Sequence, residues 1–178
     1  ACDQKLLGIT RFISAWPVRG APTISDDGVL YFAASIWPFM GVFIHAVDAE
    51  TGEVLWTNDG DGSLYMLQPH NSDSFAGVAP QGVLLVEGDY LLIPSGRSVP
   101  ACYNRHTGKL VHFKLAEHGK RGGGWEVASL GDVFINGEQA FDVETGSALG
   151  SMRGPFTFDD TRLIHYNSGR QLYECLDL

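Results

Sequence analysis

The chain has 178 residues, 44% hydrophobic and 19% charged, with a formal net charge of −9. That balance argues against a disordered segment and supplies enough apolar surface for one folded core. The acidic balance, with no basic stripe to offset it, argues against binding nucleic acid or anionic membranes, and no run approaches the ~20 apolar residues of a membrane-spanning helix.

In chain order, residues 1–14 contribute one β-prone run, Lys5–Phe12, read as an outer strand with no sheet before it. Residues 15–58 hold the first complete unit, with runs at Val29–Ala34, Val42–Ile44 and Val54–Trp56. Trp16 is expected to pack between units, and Trp37, beside Pro38 and Phe39, to sit exposed in a loop. The polar, Gly-rich stretch Asp59–Pro80 is read as a loop joining two units. Residues 78–116 form the second unit, led by Val83–Val86, a Gly88-Asp89 turn and Tyr90–Ile93. Residues 123–152 form the third, and 155–178 an incomplete fourth that stops at Asp177.

Three corners define these units. Asp48, Thr51 and Gly52 make the first, Asn104, Thr107 and Gly108 the second, and Asp142, Thr145 and Gly146 the third. The Asx side chain can bond the backbone just ahead of it, and Gly supplies the positive φ that closes the turn. Gly108 and Gly146 stand 38 residues apart, while Gly52 and Gly108 stand 56 apart. The first spacing is near the ~40–45 residues of a propeller blade. Four short strands per unit, Gly-rich turns and recurrence at this period predict an all-β propeller of about four blades, as a partial ring or half of a seven- or eight-bladed one.

The candidate sites are few. Pro94–Pro100 carries Arg97 and Ser98 between two prolines, and Arg97 is a candidate fixed cation for an acidic ligand. Trp37, Trp125 and Arg121 complete the ligand-binding candidates; Lys120 and Arg121 lie in a Gly-rich stretch that lacks the P-loop spacing. Asp59 and Asp61 alternate as in a calcium loop, but His70 stands where a bidentate Glu is needed, so a surface turn is the preferred reading. The six His show no zinc spacing, and three scattered Cys make no disulfide framework. No Gly-x-Ser-x-Gly elbow is present.

The segment Ala46–Trp56, with Asp48, Thr51, Gly52 and Trp56, resembles the blade signature of the pyrroloquinoline-quinone-repeat, quinoprotein-dehydrogenase-like propellers. Ala15–Gly20, Gly77–Gly82 and Pro94–Pro100 resemble a bacterial, non-catalytic branch of them. The resemblance implies that Trp56 docks on the peptide plane near the motif Gly of a neighbouring blade. His112 and Gly150 replace that Trp in the second and third units, which implies weaker docking there. It also implies a periplasmic or extracellular location. Quinone-dependent members need ligands for the quinone, a calcium site and an Asp base. This sequence has no Cys-Cys pair, and Asp73, Asp89, Glu126 and Asp132 form no cluster in it. The expectation is therefore a non-catalytic binding or assembly scaffold with no cofactor. The alternatives are a fragment of a quinone- and calcium-dependent oxidoreductase, and a carbohydrate- or polymer-binding surface using Trp37 and Trp125. The start at Ala1 is read as a mature or fragmentary end. The open blade edges are expected to be capped by the rest of a longer chain, by another protein or by a second copy, for instance by donation of the Lys5–Phe12 strand.

Overall fold

The computed structural model describes residues 4–68, 71–96, 98–115, 123–151, 155–159 and 161–177. Among these, the backbone is β-strand and turn, with one 3-10 turn at Pro38–Met40 and no α-helix. The chain opens with a hairpin, β1 (Lys5–Leu7) and β2 (Phe12–Ser14). The first blade follows as β3 (Val18–Ile24), β4 (Val29–Ala34), β5 (Phe43–Asp48) and β6 (Val54–Asn58). A second hairpin pairs β7 (Leu64–Leu67) with β8 (Asp73–Ala76). The second blade is β9 (Leu85–Glu87), β10 (Tyr90–Ile93), β11 (Ser98–Asn104) and β12 (Leu110–Leu115). The third is β13 (Val127–Leu130), β14 (Val133–Asn136), β15 (Gln139–Asp142) and β16 (Ala148–Ser151). Three strands make the fourth sheet: β17 (Phe156–Phe158), β18 (Arg162–Asn167) and β19 (Leu172–Asp177). Within each sheet the strands run antiparallel in sequence order.

Two expectations change. Lys5–Phe12 is not a single strand. The Gly8 N–H donates to the Arg11 carbonyl at 2.8 Å and Thr10 takes a φ of 68°, so the run folds back on itself. Asp59–Pro80 is not wholly a loop. Its polar ends enclose the β-prone run Leu64-Tyr65-Met66-Leu67, which pairs with Asp73–Ala76.

The three corners close identically. Asp48 Oδ1 accepts from the Thr51 N–H and hydroxyl, each at 2.7 Å. Asn104 Oδ1 does the same with Thr107 at 2.9 and 3.0 Å, and Asp142 Oδ1 with Thr145 at 2.7 and 2.6 Å. In each, the motif Gly N–H returns to the Asx carbonyl. These donors stabilise the ionised carboxylates, so Asp48 and Asp142 are held below the usual carboxylate range.

The strand period of two places the core on both faces of the second blade. Leu91, Ile93, Ala101 and Tyr103 pack with Tyr31, Val42 and Ile44 of the first blade. Leu92 and Cys102, pointing the other way, pack with Phe134, Phe141 and Val143 of the third. The leading strands neighbour one another from blade to blade: β9 touches both β3 and β13, and Ala21 forms a parallel bridge to Val83. Leading strands at the centre and later strands toward the rim is the arrangement of propeller blades.

Candidate functional site

The junctions between blades are the most specific chemistry in the molecule. Trp56, in β6, lies flat on the second corner. Its Nε1–H donates to the Arg105 carbonyl at 2.8 Å, and a Cβ built on Gly108 would come within 2.5 Å of its ring. Gly108 is therefore required twice, by its φ of +67° and by the ring above it. Beside it, Asn58 Nδ2 donates to the Gly108 carbonyl at 2.8 Å. Arg105 reaches back to Asp27 of the first blade at 2.9 Å. The Asp27 carboxyl is held below its ordinary range, chiefly by the Ser25 hydroxyl and then by Arg105.

His112, in β12, stands in the same relation to the third corner. Its Nε2 lies 2.9 Å from the Val143 carbonyl, and a Cβ on Gly146 would come within 2.6 Å of the ring. The ring is buried and stacks 6.3 Å from Phe134. Nδ1 has no partner among the described residues. Burial pushes the His112 imidazole down from its ordinary value, because charging it would put a desolvated cation between blades. The site left weak by the missing Trp is thus filled by another flat ring with one N–H donor.

The accessible chemistry lies elsewhere, on one apolar face. Trp37 precedes the 3-10 turn, is 54% exposed and stacks on Phe39, with ring centroids 6.4 Å apart. Tyr65 and Phe75 are cross-strand partners in the β7–β8 hairpin, with ring centroids 5.2 Å apart, and are 65% and 52% exposed. Leu67, Leu7, Ile9 and Phe12 are also exposed. Both hairpins root on the residues that follow the 3-10 turn. Trp16 packs edge-on against Phe43, and the backbone of Gly62 approaches Val42 so closely that a Cβ would lie 2.7 Å from the Val42 Cβ. Strand β8 itself lies beside the 3-10 turn. The Trp16–Phe43 ring pair lies within the first blade.

The other sequence candidates are dispersed. Arg97 and Arg121, with Lys120, fall outside the described residues. Ser98 begins β11 and is buried, its hydroxyl without a partner among the described residues. The loop before it is held within its own blade, where the Gln81 N–H donates to the Pro94 carbonyl at 3.0 Å, and is tied to the third blade, where the Gly124 N–H donates to the Gly96 carbonyl at 2.7 Å. Trp125 is 66% exposed and stands with Gln81, Gly82 and Glu126 on a cavity of about 500 Å³ at the leading strands. Asp61 is tied to Asn58, whose Nδ2 donates to it at 2.6 Å, and Asp59 is exposed in the same turn. Asp89 and Asp132 lie in separate strand-to-strand turns, Asp89 facing His106 at 3.0 Å, while Asp73 lies on β8 and Glu126 before β13. The donor set that a quinone and its calcium need is not assembled by these four acids, and among the described residues no three His, Cys, Asp or Glu side chains are grouped as metal ligands.

The residues missed from the sequence were Tyr65, Leu67, Phe75 and the β1–β2 hairpin. Their signal was a short apolar run inside Gly- and Asp-rich sequence.

The fold recurs in solved structures of low sequence identity. The chain aligns with BamB from Moraxella catarrhalis at a TM-score of 0.57 and 14% identity, over 88% of this chain and 48% of that one. It aligns with the computationally designed Ika4 protein at 0.56 and 14%, over 91% of each chain. It aligns with quinohemoprotein alcohol dehydrogenase from Comamonas testosteroni at 0.48 and 19%, over 74% of this chain and 20% of that one. The chain spans about half the length of BamB. No protein-family model and no curated protein matches the sequence. The fold is an all-β propeller, and the likeness extends to its architecture only.

Proposed function

We propose that this chain is a non-catalytic propeller segment that serves as a binding scaffold. The observation that carries this reading is the apolar face around Trp37, Tyr65 and Phe75, more than half exposed on hairpins rooted in a rigid core. Exposed apolar surface of this kind costs solubility unless a partner covers it. Aromatic side chains are also the residues that most often anchor protein interfaces. A periplasmic or extracellular setting accords with the family resemblance of the repeat.

Selection of a random peptide library on the immobilised chain tests the reading. Binders are expected to lose affinity at least ~10-fold when Trp37, Tyr65 and Phe75 are together replaced by Ser, the loss of one strong anchor. Circular dichroism serves as the control for folding. Binders indifferent to the three substitutions would refute the scaffold face.

A further inference from the structure

Resting on that scaffold role, we infer that the occupant of the apolar face is a second copy of this chain, with the β1–β2 hairpin of one protomer laid against the β7–β8 hairpin of its partner about a two-fold axis. Three features of the face select this occupant over an unrelated protein.

The first is charge. The β1–β2 hairpin carries the exposed Arg11, and no acid between Gln4 and Ser14. The β7–β8 hairpin and the turn before it carry Asp59, Asp61 and Asp73, with no Lys or Arg. The face is therefore positive at one end and negative at the other, in a chain whose net charge of −9 opposes association elsewhere. A two-fold axis brings residue i to residue j and j to i, so unlike ends meet twice. Charge complementarity at an interface rim fixes register and suppresses wrong partners.

The second is area. Leu7, Ile9, Phe12, Trp37, Phe39, Tyr65, Leu67 and Phe75 are each between 52% and 93% exposed. With ~150–250 Å² per aromatic side chain, they offer on the order of 1,000 Å², comparable with the ~800 Å² per partner of a stable interface.

The third is backbone. Among the described residues each hairpin is a sheet of two strands only. Isolated two-stranded sheets are marginal, and open edges are templates for pairing. A copy seated across them covers both hairpins of both protomers at once.

Sedimentation velocity of the 178-residue chain over ~1–100 μM, a range that brackets micromolar association, tests the inference. The expected result is a concentration-dependent dimer. Arg11→Glu and Asp73→Lys are each expected to weaken it ~10-fold, and the two reversals in one chain to restore it, because each then meets the other across the axis. Phe75→Ser, at an exposed position, should also weaken it while leaving the β-sheet circular dichroism unchanged. A monomer throughout, or a doubly reversed chain no stronger than the single reversals, overturns the second-copy assignment. A monomer whose selected peptides still depend on Trp37, Tyr65 and Phe75 would lose the dimer and keep the scaffold. Indifference in that selection would remove the scaffold itself.

Discussion

Gly52 and Gly108 occupy the same position of the same corner, with φ of +75° and +67°. They differ in what lies above them. A Cβ on Gly52 would meet nothing within 4 Å, whereas one on Gly108 would drive into the Trp56 ring at 2.5 Å. Gly52→Ala therefore incurs only the left-handed backbone penalty, about 1 kcal/mol. Gly108→Ala incurs that and the displacement of Trp56. Uncovering ~100 Å² of indole at ~25 cal/mol per Å² costs about 2.5 kcal/mol, and losing the bond to the Arg105 carbonyl about 1 more. The expected difference is about 3.5 kcal/mol. In urea, with a slope of ~2 kcal/mol/M, the midpoint should fall by ~0.5 M for Gly52→Ala and ~2 M for Gly108→Ala. Trp56 fluorescence should shift with the second variant alone. Equal midpoints would show that the ring is not docked, and the account of the blade junctions would fail with it.

His112→Trp should flatten the acid side of the stability profile. Burial depresses the His112 imidazole below its ordinary ~6.5, so the folded chain binds fewer protons than the unfolded one. Its contribution is complete above ~6.5 and is lost as pH falls through the depressed folded value; urea midpoints at pH ~7 and ~5 that fall in parallel for wild type and variant would refute it. Cys102 is fully buried, its thiol pushed up to about 12, while Cys175 is exposed. On a Cys2→Ser background, a thiol reagent should titrate Cys175 at once and Cys102 only in denaturant; prompt reaction of both would contradict the packing between the second and third blades.

The architecture was legible because its signal is local. Asp48 to Thr51, Asn104 to Thr107 and Asp142 to Thr145 are bonds across three residues, so the corners could be read from adjacent letters. Trp56 was legible through its resemblance to a repeat signature. The exposed face was only partly visible. Trp37 stood out as an aromatic beside Pro38, but Tyr65 and Phe75 are ten residues apart in a stretch whose Gly, Asp and Asn signal turns. Their pairing depends on a register that no local pattern fixes. The use of His112 was hidden for another reason. Its position was correct, but its burial against Gly146 depends on the fit of the third blade, a contact between distant segments.

Comparison of the junctions shows what the repeat conserves physically. Trp56 and His112 differ in size, hydropathy and titration, yet each is planar and each places a ring nitrogen on the next corner: Trp56 donates to Arg105, and His112 Nε2 faces the Val143 carbonyl. The common requirement is a flat surface against a Cα with no side chain, plus one N–H to satisfy a carbonyl that the turn leaves unpaired. Gly150, at the same position of the third blade, offers neither, and β16 around it is exposed along its length. The docking ring is thus a property of a pair of blades, not of one repeat. Reading a blade's sequence alone identifies the corner, but the strength of a junction is written half in the outer strand of one blade and half in the glycine of the next. This division explains why Gly52, which no described ring covers, keeps the same turn as Gly108 while bearing none of its packing.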